Sequence, residues 1–455
     1  MIAVRPRRFL VPSLLLLSLL ASDLFGQSEV PTQAFLDQFQ IVREWWGTSS
    51  IDASQDRVKY LTLGKKNLYV QSELGSLTAF DALTGKRKWV AQVGPTTGSN
   101  TRLVEIQIPK TPTDGSKPPP DEKQKEELLL VSSGMSLYAI QENDGNLRWR
   151  ASLGFATSAS PAGGGNMLYF PTNSGTLYAI DVNKLNDLHA SGKLAREAPL
   201  AVKWKFITSN PINISPICTD LYVNFVGADG TVYSVAAENH ELRFRFSAGS
   251  PLAAPLVVAQ DSTLVTAENF HLYNINQATG QVRWEFVTGP RIRTKPTVVS
   301  GSVYLAPEHG SLFCITLKGG KKVWESESAT GFISANDKRI YAYDRLGNLV
   351  LLSNETGELV HRVGLQHFTH RIPNELTDRA YIATDSGLVI ALRDADLAEP
   401  VLHPPLLPES ESEPQSTPAA TPPSEKSEEE KPTEDKPTDE NPAETPPAES
   451  NPVPQ

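Results

Sequence analysis

The chain has 455 residues, with 42 Lys and Arg against 52 Asp and Glu, for a net charge of −10. That charge is local: residues 409–455 hold 13 acidic and 3 basic residues and account for −10, residues 1–26 carry +2, and residues 27–408 are therefore close to −2 by difference. A near-neutral body lacks the basic field that phosphate neutralisation needs, which excludes nucleic acid as a partner.

In chain order, residues 1–26 read as an export signal. Arg5, Arg7 and Arg8 form a basic start, and Phe9 to Ala21 is an apolar core of 13 residues, too short to span a membrane comfortably. Cleavage is expected after Gly26. Arg7-Arg8-Phe9-Leu10 hints at a twin-arginine signal, but its spacing is imperfect and the general export route is the reading taken. No Cys follows the apolar core, so lipid attachment at a new N-terminus is not expected. No other stretch has the length and apolarity of a transmembrane helix. The expected location is the periplasm or cell envelope. Residues 27–39 form a lead segment in which Phe35, Leu36 and Phe39 suit a short helix.

A motif then recurs: a short apolar strand, a second strand ending in Ala-x-Asp or a near equivalent, a Gly turn, and Trp. The clearest copy runs from Leu68-Tyr69-Val70 through Ala79-Phe80-Asp81 and Gly85 to Trp89. The closing markers are Trp89, Trp149, Trp204, Phe244, Trp284, Trp324 and His361, with gaps of 60, 55, 40, 40, 40 and 37 residues. Insertions at 110–127 and 183–200 explain the two long gaps, and the underlying period of about 40 is that of a four-stranded propeller blade. Within each period, short β-branched and aromatic runs alternate with Gly, Asn and Asp turns, which predicts an antiparallel meander. An eighth unit ends after three strands, and the missing Trp strand lies at the other end of the chain, in Gln40 to Trp46. The predicted fold is therefore all-β: an eight-bladed propeller over 40–394, closed by an N-terminal strand that hides the sheet edges. Strand boundaries leave seven and nine as neighbouring counts.

Each marker Trp is read as packing into the next blade, burying on the order of 200 Å². Phe244 and His361 are weaker substitutes, so blades four and seven are expected to dock less tightly. Cys218 falls in the first strand of blade four and Cys314 in the third strand of blade six, too far apart for a disulfide. Residues 395–455 are expected to be a disordered acidic, Pro-rich tail. Its 409–455 stretch has no aromatic, Leu or Ile. A solvated spacer is the simple reading, with contact to cell-wall polymer or weak cation binding as the alternative.

The unit A-x-D-x-x-x-G-x-x-x-W, matched in full by Ala79, Asp81, Gly85 and Trp89, resembles the PQQ-type β-propeller repeat. Two branches of that family are relevant. Quinoprotein dehydrogenases use the central site for pyrroloquinoline quinone and calcium, beneath an adjacent Cys-Cys disulfide. This chain has no adjacent cysteines and no long insertions to build such a pocket. The BamB-like scaffold of outer-membrane β-barrel assembly is similar in length, blade count and lack of catalytic insertions. That resemblance implies a non-enzymatic protein with an envelope protein partner, an outer-membrane β-barrel assembly subunit being the candidate, and with no cofactor. It also implies a partner contact in a connection leading into an innermost strand, where an apolar residue stands beside Arg with a Pro downstream.

Arg291-Ile292-Arg293-Thr294-Lys295-Pro296 has that shape. In an extended chain Arg291, Arg293 and Lys295 share one face, with Ile292 on the other. Two readings stand: an interface anchor, or cations solvated on the rim. Other chemistry is less promising. His367 and His370 are three apart, which puts them on opposite faces of a strand and unsuits them to joint metal ligation. No nucleophile elbow or HExxH is present. The function expected first is a monomeric, non-enzymatic envelope scaffold. The alternatives are a quinone-dependent oxidoreductase or degenerate relative, and a glycan- or polymer-binding surface protein.

Overall fold

The computed structural model describes residues 30–96, 100–109, 125–219 and 221–406. They form eight four-stranded antiparallel sheets, the propeller expected from the sequence. Blade 1 comprises Val58–Leu63, Asn67–Ser72, Ser76–Asp81 and Arg87–Gln92. Blades 2 to 7 begin with Val104–Pro109, Ala162–Gly164, Ile217–Cys218, Val257–Ala259, Thr297–Val299 and Gly331–Ala335. Blade 8 takes His370–Arg371, Ala380–Ala383 and Leu388–Asp394 from the end of the ring and Ile41–Thr48 from its start. The closing pair runs from Ile41 opposite Asp394 to Thr48 opposite Leu388.

The apolar core lies between blades. Each buried cluster draws on two neighbours: Tyr69, Leu77 and Ala79 of blade 1 meet Leu129, Val131 and Ile140 of blade 2, and Leu264 and Leu272 of blade 5 meet Val303 and Ile315 of blade 6. Second and third strands are buried on both faces because a blade stands on either side.

The marker positions latch these interfaces. The indole nitrogens of Trp45, Trp89, Trp204, Trp284 and Trp324 donate to the carbonyls of Ala82, Glu142, Ala237, Leu317 and Asn354 in the next blade, at 2.8–3.1 Å. Beneath four of these indoles lies a positive-φ glycine of that blade: Gly85, Gly145, Gly320 and Gly357. A Cβ at any of the four would stand 2.4–2.6 Å from the ring. These glycines serve the turn conformation and the close approach together. Phe244 takes the same place over Gly280. A β-bulge immediately precedes the marker in every blade and turns its side chain toward the neighbour. His361 packs edge-on against Phe39 at 5.8 Å, as packing rather than chemistry.

Three expectations need correction. The insertion after Asp181 is helical: Val182–Ala190, Leu194–Glu197 and a 3₁₀ turn Ala198–Ala201. Asp181 caps the first helix by accepting from the Asn183 amide, and Val182, Leu185 and Leu188 pack with Trp149. Trp149 consequently has no partner for its indole nitrogen. The insertion at 110–127 narrows to 110–124, because Pro109 pairs with Lys125 in the sheet. The tail does not begin at 395. Residues 395–406 lie on the ring, with Val401 bonded to Asp378, Leu402 bridged to Thr377, His403 Nε2 3.0 Å from the Ala335 carbonyl, and Leu406 packed beside blades 5 and 6. The export signal, residues 110–124 and the tail from 407 onward lie outside the described residues. Helix Gln33–Asp37 forms as expected, with Leu36 buried against blades 7 and 8. No disulfide joins Cys218 and Cys314, and burial pushes the Cys314 thiol up to about 11. Among the described residues no helix is long and apolar enough to cross a membrane.

The two faces of the ring differ. One carries the turns between strands one and two and between strands three and four, so the helical insertion and residues 395–406 belong to it. The other carries the turns between strands two and three and the linkers from each outer strand to the next innermost strand.

Candidate functional site

The cation-bearing connection, between Val282–Val287 of blade 5 and Thr297–Val299 of blade 6, lies on this linker face. Its backbone follows a repeat. The amides of Ala228, Glu268 and Glu308, forty residues apart, donate to the carbonyls of Pro211, Pro251 and Arg291 at 2.8–3.1 Å. The next residue in each linker, Ile212, Leu252 or Ile292, is buried between blades. Ile292 has no exposed surface and packs with Val298, Val303 and Phe313. It is therefore not an apolar anchor offered to a partner. Its position is a blade-packing site filled alike in three successive linkers, and burying an aliphatic side chain there contributes about 1.5–3 kcal/mol.

The three cations do point outward, away from Ile292, and each is about half exposed. None stands alone. Arg293 Nε lies 3.2 Å from Glu268 Oε1 and its Nη1 lies 3.7 Å from Glu308. Arg291 reaches Glu268 at 4.0 Å, and Lys295 Nζ donates to Glu375 Oε1 at 3.1 Å. Hydrogen bonding to Glu268, then the fields of Glu268 and Glu308, raise the Arg293 pKa above its ordinary value. Because such exposed pairs are worth only about 0–1 kcal/mol, these cations can exchange their carboxylates for others at little cost. The patch is of mixed sign, with its long side chains held extended.

Glu268, Glu308 and Glu375 were missing from the sequence reading. The 40-residue spacing of Glu268 and Glu308, each 17 residues after the linker position its amide binds, was the available signal. Glu375 lies in the loop after His370–Arg371, which follows the innermost strand of blade 7 through a bond from the Asn374 amide to the Ile333 carbonyl at 2.7 Å. Nothing in its sequence neighbourhood marks it. His370 and His367 do not converge: His370 Nε2 is 2.8 Å from Asp385, whereas the His367 ring lies against Phe368.

Comparison with known proteins concerns the ring as a whole. The family model described as outer membrane protein assembly factor BamB matches residues 115–203, 204–338 and 308–399. The BamB of Shewanella oneidensis is 32% identical over 76 residues, 17% of this chain and 19% of that protein. The BamB of Moranella endobia is 22% identical over 308 residues, 65% of this chain and 64% of that protein. The chain thus spans less than two thirds of the length of these curated relatives. Among solved structures, BamB from Moraxella catarrhalis superposes with a TM-score of 0.55 at 16% identity, covering 78% of this chain and 97% of that one. The computationally designed protein Ika8 superposes at 0.53 and 15% identity, covering 76% and 99%. At those identities the two structures speak for the fold alone. The family model, spanning most of the ring, carries the assignment, and the chain belongs to the BamB family of outer membrane protein assembly factors.

Proposed function

We propose that this chain is an exported, non-enzymatic scaffold of the cell envelope. In this reading it binds a protein partner in outer-membrane protein assembly, and the linker face around Arg291, Arg293 and Lys295 is the contact. The observation that carries the reading is the comparison of sister linkers. Pro211-Ile212-Asn213-Ile214-Ser215 and Pro251-Leu252-Ala253-Ala254-Pro255 hold no charge, whereas Arg291-Ile292-Arg293-Thr294-Lys295 keeps the buried Ile and places cations at the three outward positions. Packing requires only the Ile, and the cations, whose exposed pairs within the ring are weak, remain available to a partner. Enrichment of Arg at interface centres supports the same reading.

The quinoprotein alternative requires residues that fit quinone and calcium. Among the described residues no group of three or more His, Cys, Asp or Glu is arranged to hold a metal ion, and no two cysteines are adjacent. The residues do not fit that pair.

The test is in-cell cross-linking and affinity capture with the full chain and with Arg291→Glu/Arg293→Glu, read by mass spectrometry. An outer-membrane barrel assembly subunit is expected with the parent chain and lost with the double variant at unchanged thermal stability. Equal capture by both would remove the linker from the interface. Failure to capture any assembly subunit would remove the scaffold reading itself.

A further inference from the structure

The same face holds two cations of a different kind. A cavity of about 640 Å³ is lined by Tyr60, Arg102, Ser158, Ser160, Ser215 and Pro255, among others. These residues come from blade 1 and from the linkers entering blades 2, 3, 4 and 5. Positions 102, 160, 215 and 255 lie one or two residues before an innermost strand, so they can meet only around the ring's centre. The volume suits a small-molecule or short-peptide ligand.

The lining contains no carboxylate. Arg102 donates from Nη1 to the Leu61 carbonyl at 3.1 Å, and its guanidinium lies 5.1 Å from the Tyr60 ring centre. Lys59 Nζ donates to the Asn100 carbonyl at 2.9 Å and lies 5.2 Å from the same ring. Among the described residues neither has an Asp or Glu partner, in contrast to Arg291, Arg293 and Lys295. Arg102 is exposed, and the protein around it lowers its pKa, with Tyr60 acting against that. Solvent reaches the guanidinium through the cavity. Its remaining N–H donors face solvent with no carboxylate beside them, and an anion in the cavity could accept from them.

We propose that this axial cavity binds a carboxylate-bearing ligand, with the Arg102 guanidinium as its anchor; the Lys59 ammonium, bonded to the carbonyl of the lining residue Asn100 but outside the lining itself, adds to the positive field. The planar fork of Arg matches a carboxylate bidentately. The hydroxyls of Thr157 and Ser215 supply the remaining polar wall, those of Ser158 and Ser160 donating instead to the carbonyls of Ile212 and Arg102. No helix N-terminus contributes to the lining, which makes it unlike common phosphate sites. The carboxylate can belong to a free small acid or to a peptide. This site stands apart from the scaffold reading, and its failure would leave that reading untouched.

Isothermal titration of the full chain decides it, using succinate, the acidic tripeptide Asp-Ala-Asp, succinamide and inorganic phosphate. Binding of succinate or the tripeptide without succinamide is expected, and the tighter of the two identifies the source. Arg102→Gln should weaken that binding by about tenfold or more. Lys59→Gln should weaken it less, and Arg291→Gln/Arg293→Gln not at all. Should Arg102→Gln melt early, Arg102→Lys keeps the charge without the fork and is expected to give intermediate weakening. Absence of heat from both acids, equal binding of succinamide, tighter binding of phosphate, or indifference to both Arg102 variants would overturn the proposal.

Discussion

Blades 1 to 7 are continuous in sequence, and blade 8 is assembled from both ends of the ring. Blades 1, 4, 5 and 6 seal to the next blade with an aromatic ring over a tight glycine turn, as blade 8 does to blade 1 through Trp45 and Gly85. Blade 8 has no such turn between Leu388–Asp394 and Ile41–Thr48, so His361 of blade 7 packs on Phe39 of the lead segment instead. Blade 8 also has an ionic clamp. Arg379, fully buried, donates from Nε to Glu44 at 2.8 Å and from Nη1 to both oxygens of Asp378 at 2.9 Å. Its Nη2 donates to the Ala398 carbonyl at 2.8 Å, while Asp378 accepts from the Val401 amide at 2.9 Å. One guanidinium thus joins the first strand, the last hairpin and residues 395–406. Where the chain cannot supply a turn, specific polar bonds take over the job of holding register.

The contrast can be broken most severely at the clamp. Arg379→Ala leaves Glu44 and Asp378 without their shared partner and should destabilise the ring by about 3–5 kcal/mol in urea unfolding. A loss under about 1 kcal/mol would mean that closure rests on strand pairing alone. Next comes a matched pair at one repeat position. Trp324→Ala should cost about 3–5 kcal/mol, and His361→Ala at most about 1.5 kcal/mol. Equal losses would deny that blade 7 docks by a weaker device. Ending the chain after Asp394 removes the Ala398 and Val401 bonds and should cost about 3 kcal/mol, with earlier proteolysis near residue 40 as a second readout.

The smallest effect sharpens the comparison at acid pH. The Thr369 hydroxyl, at 2.6 Å, and then His370 hold the Asp385 carboxyl below its usual range. A depressed folded pKa contributes stability that is present above the unfolded value, about pH 4, and is lost as pH falls through the folded pKa. Thr369→Val should therefore flatten the acid limb of stability against pH and leave the neutral plateau within about 0.5 kcal/mol. An unchanged acid limb would show that Asp385 plays no part in acid unfolding of the closing blade.

The architecture was legible because its signals repeat. Trp spacing, the Ala-x-Asp turn and the stray strand at Gln40 to Trp46 gave the blade count and the closure. The elements that were missed do not repeat. The insertion helix shows only Val182, Leu185 and Leu188 at three-residue spacing, and its cap, Asp181, is the same residue that marks a turn elsewhere. Arg379 meets Glu44 across 335 positions, and no local pattern announces such a pair. The site was half legible. Alternation separates the exposed cations from the buried Ile292 but not from the exposed Thr294, the role of Ile292 needed comparison with Ile212 and Leu252, and the glutamate partners needed the fold. Arg102 carried no signal at all, since its significance comes from linkers that gather only once the ring is closed.

Closure by the chain's own ends has a consequence for how the molecule can be held. Residues 33–40 and 394–406 leave the ring on the face of the insertions, so a label placed on either of these segments sits on that side. The linker side then points away from the attachment and stays open to whatever approaches. Immobilised through residues on its outgoing side, the ring should present Arg293 and the Arg102 cavity in one common orientation, which makes oriented capture the natural format for both binding experiments.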